Sequence, residues 1–200
     1  MSKTTIPTGG IADDAISEEH IDATVITGST ALAVAPAVTD ELIFSDAGTI
    51  KRIDYEHLAM TPVFWVVKNA DQTISTGTQT DLTWQVETLD SNGKFASNVF
   101  TPTVAGYYFL QASVLIEYAN AAGEFGDLRI ELNDGGTGLD MRNAQSGDTT
   151  VSSTLHVSGI LAMDADDTAK VSIFHQQGAN QNVDDNTNYT RFCGFRICGV

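Results

Sequence analysis

The stretch Phe95–Tyr118, FASNVFTPTVAGYYFLQASVLIEY, limits the possible folds more than any other part of the chain. In its second half Tyr108, Leu110, Ala112, Val114, Ile116 and Tyr118 are nearly all apolar, while Gln111, Ser113 and Glu117 between them are polar. A period of two predicts a strand with one buried face. Phe100-Thr101-Pro102-Thr103-Val104-Ala105-Gly106 forms a short extended entry ending in a corner. Pro102 fixes φ there and Gly106 removes a Cβ, which suits a chain passing from one sheet to another.

Further strands follow the same logic. Val63–Val67, with Trp65, is a continuous apolar run, as expected of a strand buried on both faces in a sandwich or a trimer centre. Leu82–Val86 alternates, and Asp90-Ser91-Asn92-Gly93 reads as a turn. Leu128, Ile130 and Leu132 alternate with Asp127, Arg129, Glu131 and Asn133, which predicts a strand with one wet face closed by Asn133–Gly136. Leu155, Val157, Leu161 and Met163 share a face interrupted by Gly159, and Val171–His175 is a further strand. Gly138–Thr149 and Gly178–Thr190 read as polar surface loops. The total is about eight to ten strands with many turns, so the fold class is all-β, with the strand number of an antiparallel jelly-roll sandwich.

Residues 1–57 have a different character. Thr8-Gly9-Gly10 is a break, and IADDAISEEHIDATVI follows with isolated apolar residues among acids. A segment this short cannot bury enough surface to offset its ordering entropy, so it is either disordered or covered by partners. Ala31–Ala37 is a small-residue connector broken by Pro36. Glu41–Ser45 and Thr49–Ile53 flank Asp46-Ala47-Gly48 as a hairpin with a three-residue turn. Asp54–Met60 reads as a short helical turn or linker. The expected division is therefore an attachment or trimerisation segment at 1–57, a linker at 58–61 and a jelly-roll head at 62–200.

Charge narrows the partners. The 10 basic and 26 acidic residues leave a formal charge of −16, which disfavours nucleic acid and anionic lipid because phosphate binding rests on Lys and Arg. No apolar run approaches the roughly 20 residues that cross a bilayer. MSKTTIPTGG lacks the apolar core of a signal peptide, so no membrane insertion and no secretory export are expected. Cys193 and Cys198 lie five apart in the last strand, on opposite faces and roughly 17 Å apart, too far for a bridge; both read as small buried side chains.

No catalytic site emerges. His20, His57, His156 and His175 occur in unrelated contexts, although His156 and His175 both fall in expected strands and can be neighbours. There is no nucleophile elbow, zinc-protease motif or phosphate loop. Asp184-Asp185 lacks the framing of a glycosidase pair. Asp164–Asp167 and Asp184-Asp185 are the oxygen-rich loops that suit Ca²⁺, but solvated turns are the plainer reading, and no cofactor is expected. For recognition, the Asn-, Gln-, Asp- and Thr-rich loops Gly138–Thr149 and Gly178–Thr190 fit polar targets such as glycans.

Two resemblances add to this reading. Phe-Thr-Pro-x-x-Ala-Gly-x-Tyr, followed by the apolar strand, resembles the central signature of the complement 1q-like globular head, a relative of the tumour-necrosis-factor-like jelly rolls. Phe192-Cys193-Gly194-Phe195-Arg196-Ile197 is similar to that family's closing strand, with Arg196 where an aliphatic residue is usual. The resemblance covers about 61–200. It implies a homotrimer, with Phe100, Pro102, Gly106, Tyr108, Phe192, Gly194 and Phe195 as its structural framework and calcium bound at the head in some members. Three copies at −16 each would carry −48. Ile-Ala-Asp-x-Ala-Ile-Ser and Asp40–Ile53 resemble segments of bacteriophage fibre proteins. They imply a virion structural protein (fibre, spike or head decoration) made in the host cytoplasm. It would attach to other virion proteins through 1–57 and expose its head to a host-surface glycan or protein. A cellular bacterial complement 1q-like ligand-binding protein is the alternative, and a polysaccharide hydrolase a third class.

Overall fold

A computed structural model describes residues 23–34, 36–37, 39–55, 62–117, 125–144 and 152–199. The chain divides into two compact units, Met1–Leu58 and Ala59–Val200. Among the described residues, no helix is long and apolar enough to cross a membrane.

The first unit holds a one-turn helix, α1 (Thr24–Thr27), and a hairpin of β1 (Glu41–Asp46) and β2 (Thr49–Asp54). Its turn is one residue shorter than expected. Asp46 pairs with Thr49, leaving a two-residue connection in which Ala47 and Gly48 have φ of 48° and 83°. Positive φ at both central positions gives the turn whose twist matches that of the strands. Lys51 pairs with Asp46 and Arg52 with Glu41 along the hairpin. The fibre-like unit within 11–22, most of the Asp54–Met60 turn and the 58–61 linker lie outside the described residues, as do His20, His57 and Tyr118.

The second unit is a sandwich of two antiparallel sheets. One contains β4 (Gln72–Ile74), β14 (Gln181–Val183), β9 (Gly106–Ile116), β15 (Arg191–Cys198), β3 (Val63–Val67) and β6 (Val86–Asp90) in that order, with β12 (Ser153–Met163) pairing along the other side of β9. The other runs β11 (Gly136–Ala144), β10 (Phe125–Leu132), β13 (Ala169–His175), β8 (Val99–Phe100), β7 (Phe95–Ala96), with β5 (Thr80–Asp81) also on β13. Eight of these strands have five or more residues, within the expected eight to ten; five short segments supplement them.

The core lies between the sheets. Tyr108, Leu110, Ala112, Val114 and Ile116 of β9 point into it, opposite Leu128, Ile130, Val171 and Ile173. Phe64 stacks on Phe100 at 4.3 Å and meets Phe192 edge-on at 4.8 Å. The chain crosses between sheets at 101–105, between β8 and β9, as the Pro/Gly corner predicts.

Four segments differ from expectation. Leu82–Gln85 forms no strand, although Leu82 and Trp84 are buried: the amides of residues 82 to 85 go in turn to Val171 O, Gln72 Oε1, Asn98 Oδ1 and Val67 O. Residues 138–144, read as loop, belong to β11, which pairs with β10; residues 145–151 lie outside the described set. Gly178–Thr190 contains β14, with Val183 and Thr190 fully buried. The supposedly wet face of β10 includes Asp127, which has no exposed surface.

Candidate assembly surface

A strand that is apolar at every position, like β3, presents an apolar residue outward as well as inward. Trp65 points away from the core and is 41% exposed, and its cross-strand partners are Cys193 and Leu89. On β9 the outward positions begin with Tyr107 and Phe109, and on β15 Phe195 projects beside Phe109, ring centres 5.5 Å apart. Phe109 also faces Ile160 of β12, which is 60% exposed. Val63, Trp65, Leu89, Phe109 and Phe195 thus line one shallow groove of about 290 Å³ on the outside of the seven-stranded sheet.

The far half of this face is polar. The Gln111 amide bridges two strands, its Oε1 3.9 Å from the Cys193 sulfur and its Nε2 3.3 Å from His156 Nε2. Ser113 lies between His156 and Arg191 in register. Burial pushes the Cys193 thiol up, with Arg191 opposing.

The seven framework residues separate into two groups. Phe100, Pro102, Gly106, Tyr108, Phe192 and Gly194 are buried, and Phe195 is an outer-face residue. Tyr108 donates its hydroxyl to Val104 O at 2.7 Å, pinning the corner; burial pushes its pKa up. Gly106 is required by close approach: a Cβ would lie 2.5 Å from Cys198 O and 2.6 Å from Arg196 Nε. Arg196 Nη2 donates to Ala105 O, so the residue that departs from the usual aliphatic holds the same corner. Sequence reasoning anticipated an outward apolar residue on β3 from the unbroken run Val63–Val67 but missed the part of the band on β9 and β15, which is signalled by aromatics at both odd and even positions in Tyr107-Tyr108-Phe109.

Two cysteine expectations are corrected. The register shifts between Arg196, opposite Tyr108, and Cys198, opposite Tyr107. That bulge at Ile197 places Cys198 on the same outward face as Cys193, and Cys198 is exposed. Both are free thiols. The two strand histidines also separate: His156 is exposed on one sheet, and His175 is buried on the other with Nε2 3.0 Å from Ile74 O.

The acidic loops are occupied by their own turns. Asp167 accepts from Asp164 N and Asn133 Nδ2, and Asp184 accepts from Asn186 N. Among the described residues no three His, Cys, Asp or Glu side chains are grouped to hold a metal. On the six-stranded sheet, Asp127 Oδ2 accepts from Arg129 at 2.7 Å and lies 3.4 Å from Arg142. Burial pushes the Asp127 carboxyl up, but hydrogen bonds from Asp140 and Arg129 and the Arg129 charge hold it below the usual range; Asp140 is raised by sharing that hydrogen bond.

No model of a known protein family matches the chain. No curated protein matches it in sequence. Solved structures do match. The globular domain of zebrafish complement 1qA protein aligns with a TM-score of 0.51 and 19% identity, over 70% of this chain and 99% of that one. Murine APRIL at pH 8.0 aligns with a TM-score of 0.50 and 15% identity, over 69% of this chain and 100% of that one. The expected complement 1q and tumour-necrosis-factor-like jelly roll is the observed fold.

Proposed function

We propose that this chain is a non-enzymatic, homotrimeric virion structural protein of a bacteriophage, attached through residues 1–57 and exposing its jelly-roll head. The observation that carries the trimer is the apolar band of Trp65, Leu89, Phe109, Ile160 and Phe195 on the outside of a sheet whose inner face already forms the core. A contiguous exposed apolar patch on a chain this acidic marks a protein contact. A second copy is the partner that needs no further molecule, and three copies close a ring through one repeated contact. The segments Ile11–Ser17 and Asp40–Ile53, with their fibre-like sequences, support the virion assignment, and the exposed polar turn at 185–189 supports contact with a host-surface glycan or protein.

Size-exclusion chromatography with light scattering tests the assembly. The full-length chain should run as a trimer and Phe195→Asp, which sets a charge in the apolar groove, as a monomer; a monomeric wild type refutes the reading. Peptide mass spectrometry of purified particles tests the virion role. Absence from particles while capsid proteins are recovered returns the cellular ligand-binding alternative.

A further inference from the structure

The hairpin β1–β2 is a two-stranded sheet whose outer edges carry no further strand among the described residues. Its register sets Leu42, Phe44 and Ile53 on one face and Ile43 and Ile50 on the other. The first face adjoins Leu32, Pro36 and Tyr55 around a concavity of about 460 Å³. The second is bare: Ile43 is 80% and Ile50 79% exposed, and they are diagonal neighbours across the strand pair. A lone two-stranded hairpin is marginally stable in water, and one with apolar side chains on both faces needs a cover.

We infer that the Ile43/Ile50 face and the open strand edges of β1–β2 pack against the same hairpin in neighbouring copies, as a second self-association element. This rests on the trimeric reading of the sandwich. Six residues separate Tyr55 from Pro62, a span of at most about 25 Å, so every hairpin is tethered close to an assembled head. Tethers this short raise the local concentration to the millimolar range. The apolar half of the face, Ile43, Ser45 and Ile50, carries no charge, so copies of a chain at −16 meet there without opposing like charges. Beside it on the same face Arg52, the cross-strand partner of Ile43, lies 2.8 Å from Glu41 and two residues before Asp54 on β2, so each copy offers both signs. Unpaired edges admit a further strand by ladder hydrogen bonds.

The test uses the full chain carrying Cys193→Ala and Cys198→Ala, into which Ser45→Cys (bare face) or Thr49→Cys (opposite face) is introduced, with a short bismaleimide as cross-linker. The expected result is a trimer by light scattering with at least tenfold more covalent dimer from Ser45→Cys than from Thr49→Cys. A trimer in which both positions cross-link equally, or neither does, overturns the hairpin contact and leaves the sandwich contact standing. A monomer overturns the sandwich reading and, with it, this one. Cross-linking of Ser45→Cys to a different protein in purified particles also overturns it.

Discussion

Lys68 gives the sharpest quantitative test of the head. It follows β3, has no exposed surface, and its ammonium donates to Thr83 O at 2.8 Å, Gln72 Oε1 at 3.0 Å and Thr83 Oγ1 at 3.3 Å. Three donors thus meet three acceptors. Burial nevertheless lowers its pKa from 10.5 to about 8, against the opposing charges of Asp71 and Asp185. Between those two values the unfolded chain holds a proton that the folded chain has released, so stability rises with pH across that window. The difference amounts to roughly 3 kcal/mol. Lys68→Met keeps the stem and removes the titrating group. Near pH 7 the variant loses about 1 kcal/mol for each hydrogen bond but escapes the buried charge, so it should lie within about 1 kcal/mol of wild type. By pH 10.5 wild type should be the more stable by roughly 3 kcal/mol. Urea unfolding followed by tryptophan fluorescence, at one fixed protomer concentration, measures both chains at each pH. Subtracting the variant cancels every other titrating group. A difference that changes by less than about 1 kcal/mol from pH 7 to 10.5 refutes the reasoning.

Gly194→Ala would set a methyl 2.4 Å from Leu110 Cδ2, 2.8 Å from Phe109 O and 2.9 Å from Phe64 Cε1, and should cost about 1–3 kcal/mol in urea unfolding. Gly159→Ala meets only the end of the Leu139 side chain, at 2.7 Å, and should cost less; the reverse order contradicts the packing argument. Asp127→Asn leaves the partly exposed Arg129 and Arg142 facing a neutral amide and should cost about 1–2 kcal/mol at pH 7. Because the folded Asp127 pKa is depressed below 3.8, that contribution is present above pH 3.8 and fades in more acid solution, so wild type and variant should converge there in thermal melts.

What the sequence made legible follows the strength of its periodicity. β9 is readable because it alternates over a long run, and β15 through its likeness to a known closing strand; each carries a glycine that close packing explains. Leu82–Trp84 misled for a physical reason: its burial does alternate, but its amides reach four different partners, so burial and ladder part company. β11 was invisible because it is an edge strand with Leu139 as its apolar contact to the core, so GTGLDMRNA reads as loop. The cysteine faces were unreadable because one bulged residue inverts every side chain beyond it. Asp127 was misplaced because a carboxylate at an outward position looks solvated until two arginines from β10 and β11 close over it.

The candidate assembly face shows why such a surface can coexist with a charge of −16. Like charges on three copies repel over roughly a Debye length, about 8 Å at physiological salt, so contact requires a surface from which acids are absent. The groove lining meets that condition: Val63, Trp65, Leu89, Phe109, Gln111 and Phe195 are uncharged and Arg191 is the one charged residue beside them. Acids of the described head flank the groove at Glu87 and Asp90 on β6 and otherwise include the Asp164–Asp167 and Asp184-Asp185 turns and the Lys170 partners Asp81 and Asp134. The Ile43–Ser45–Ile50 patch of the hairpin follows the same rule on a smaller scale. In both places the apolar surface is flanked by charge without containing an acid, an arrangement that favours contact between copies there and opposes it over the rest of the acidic surface.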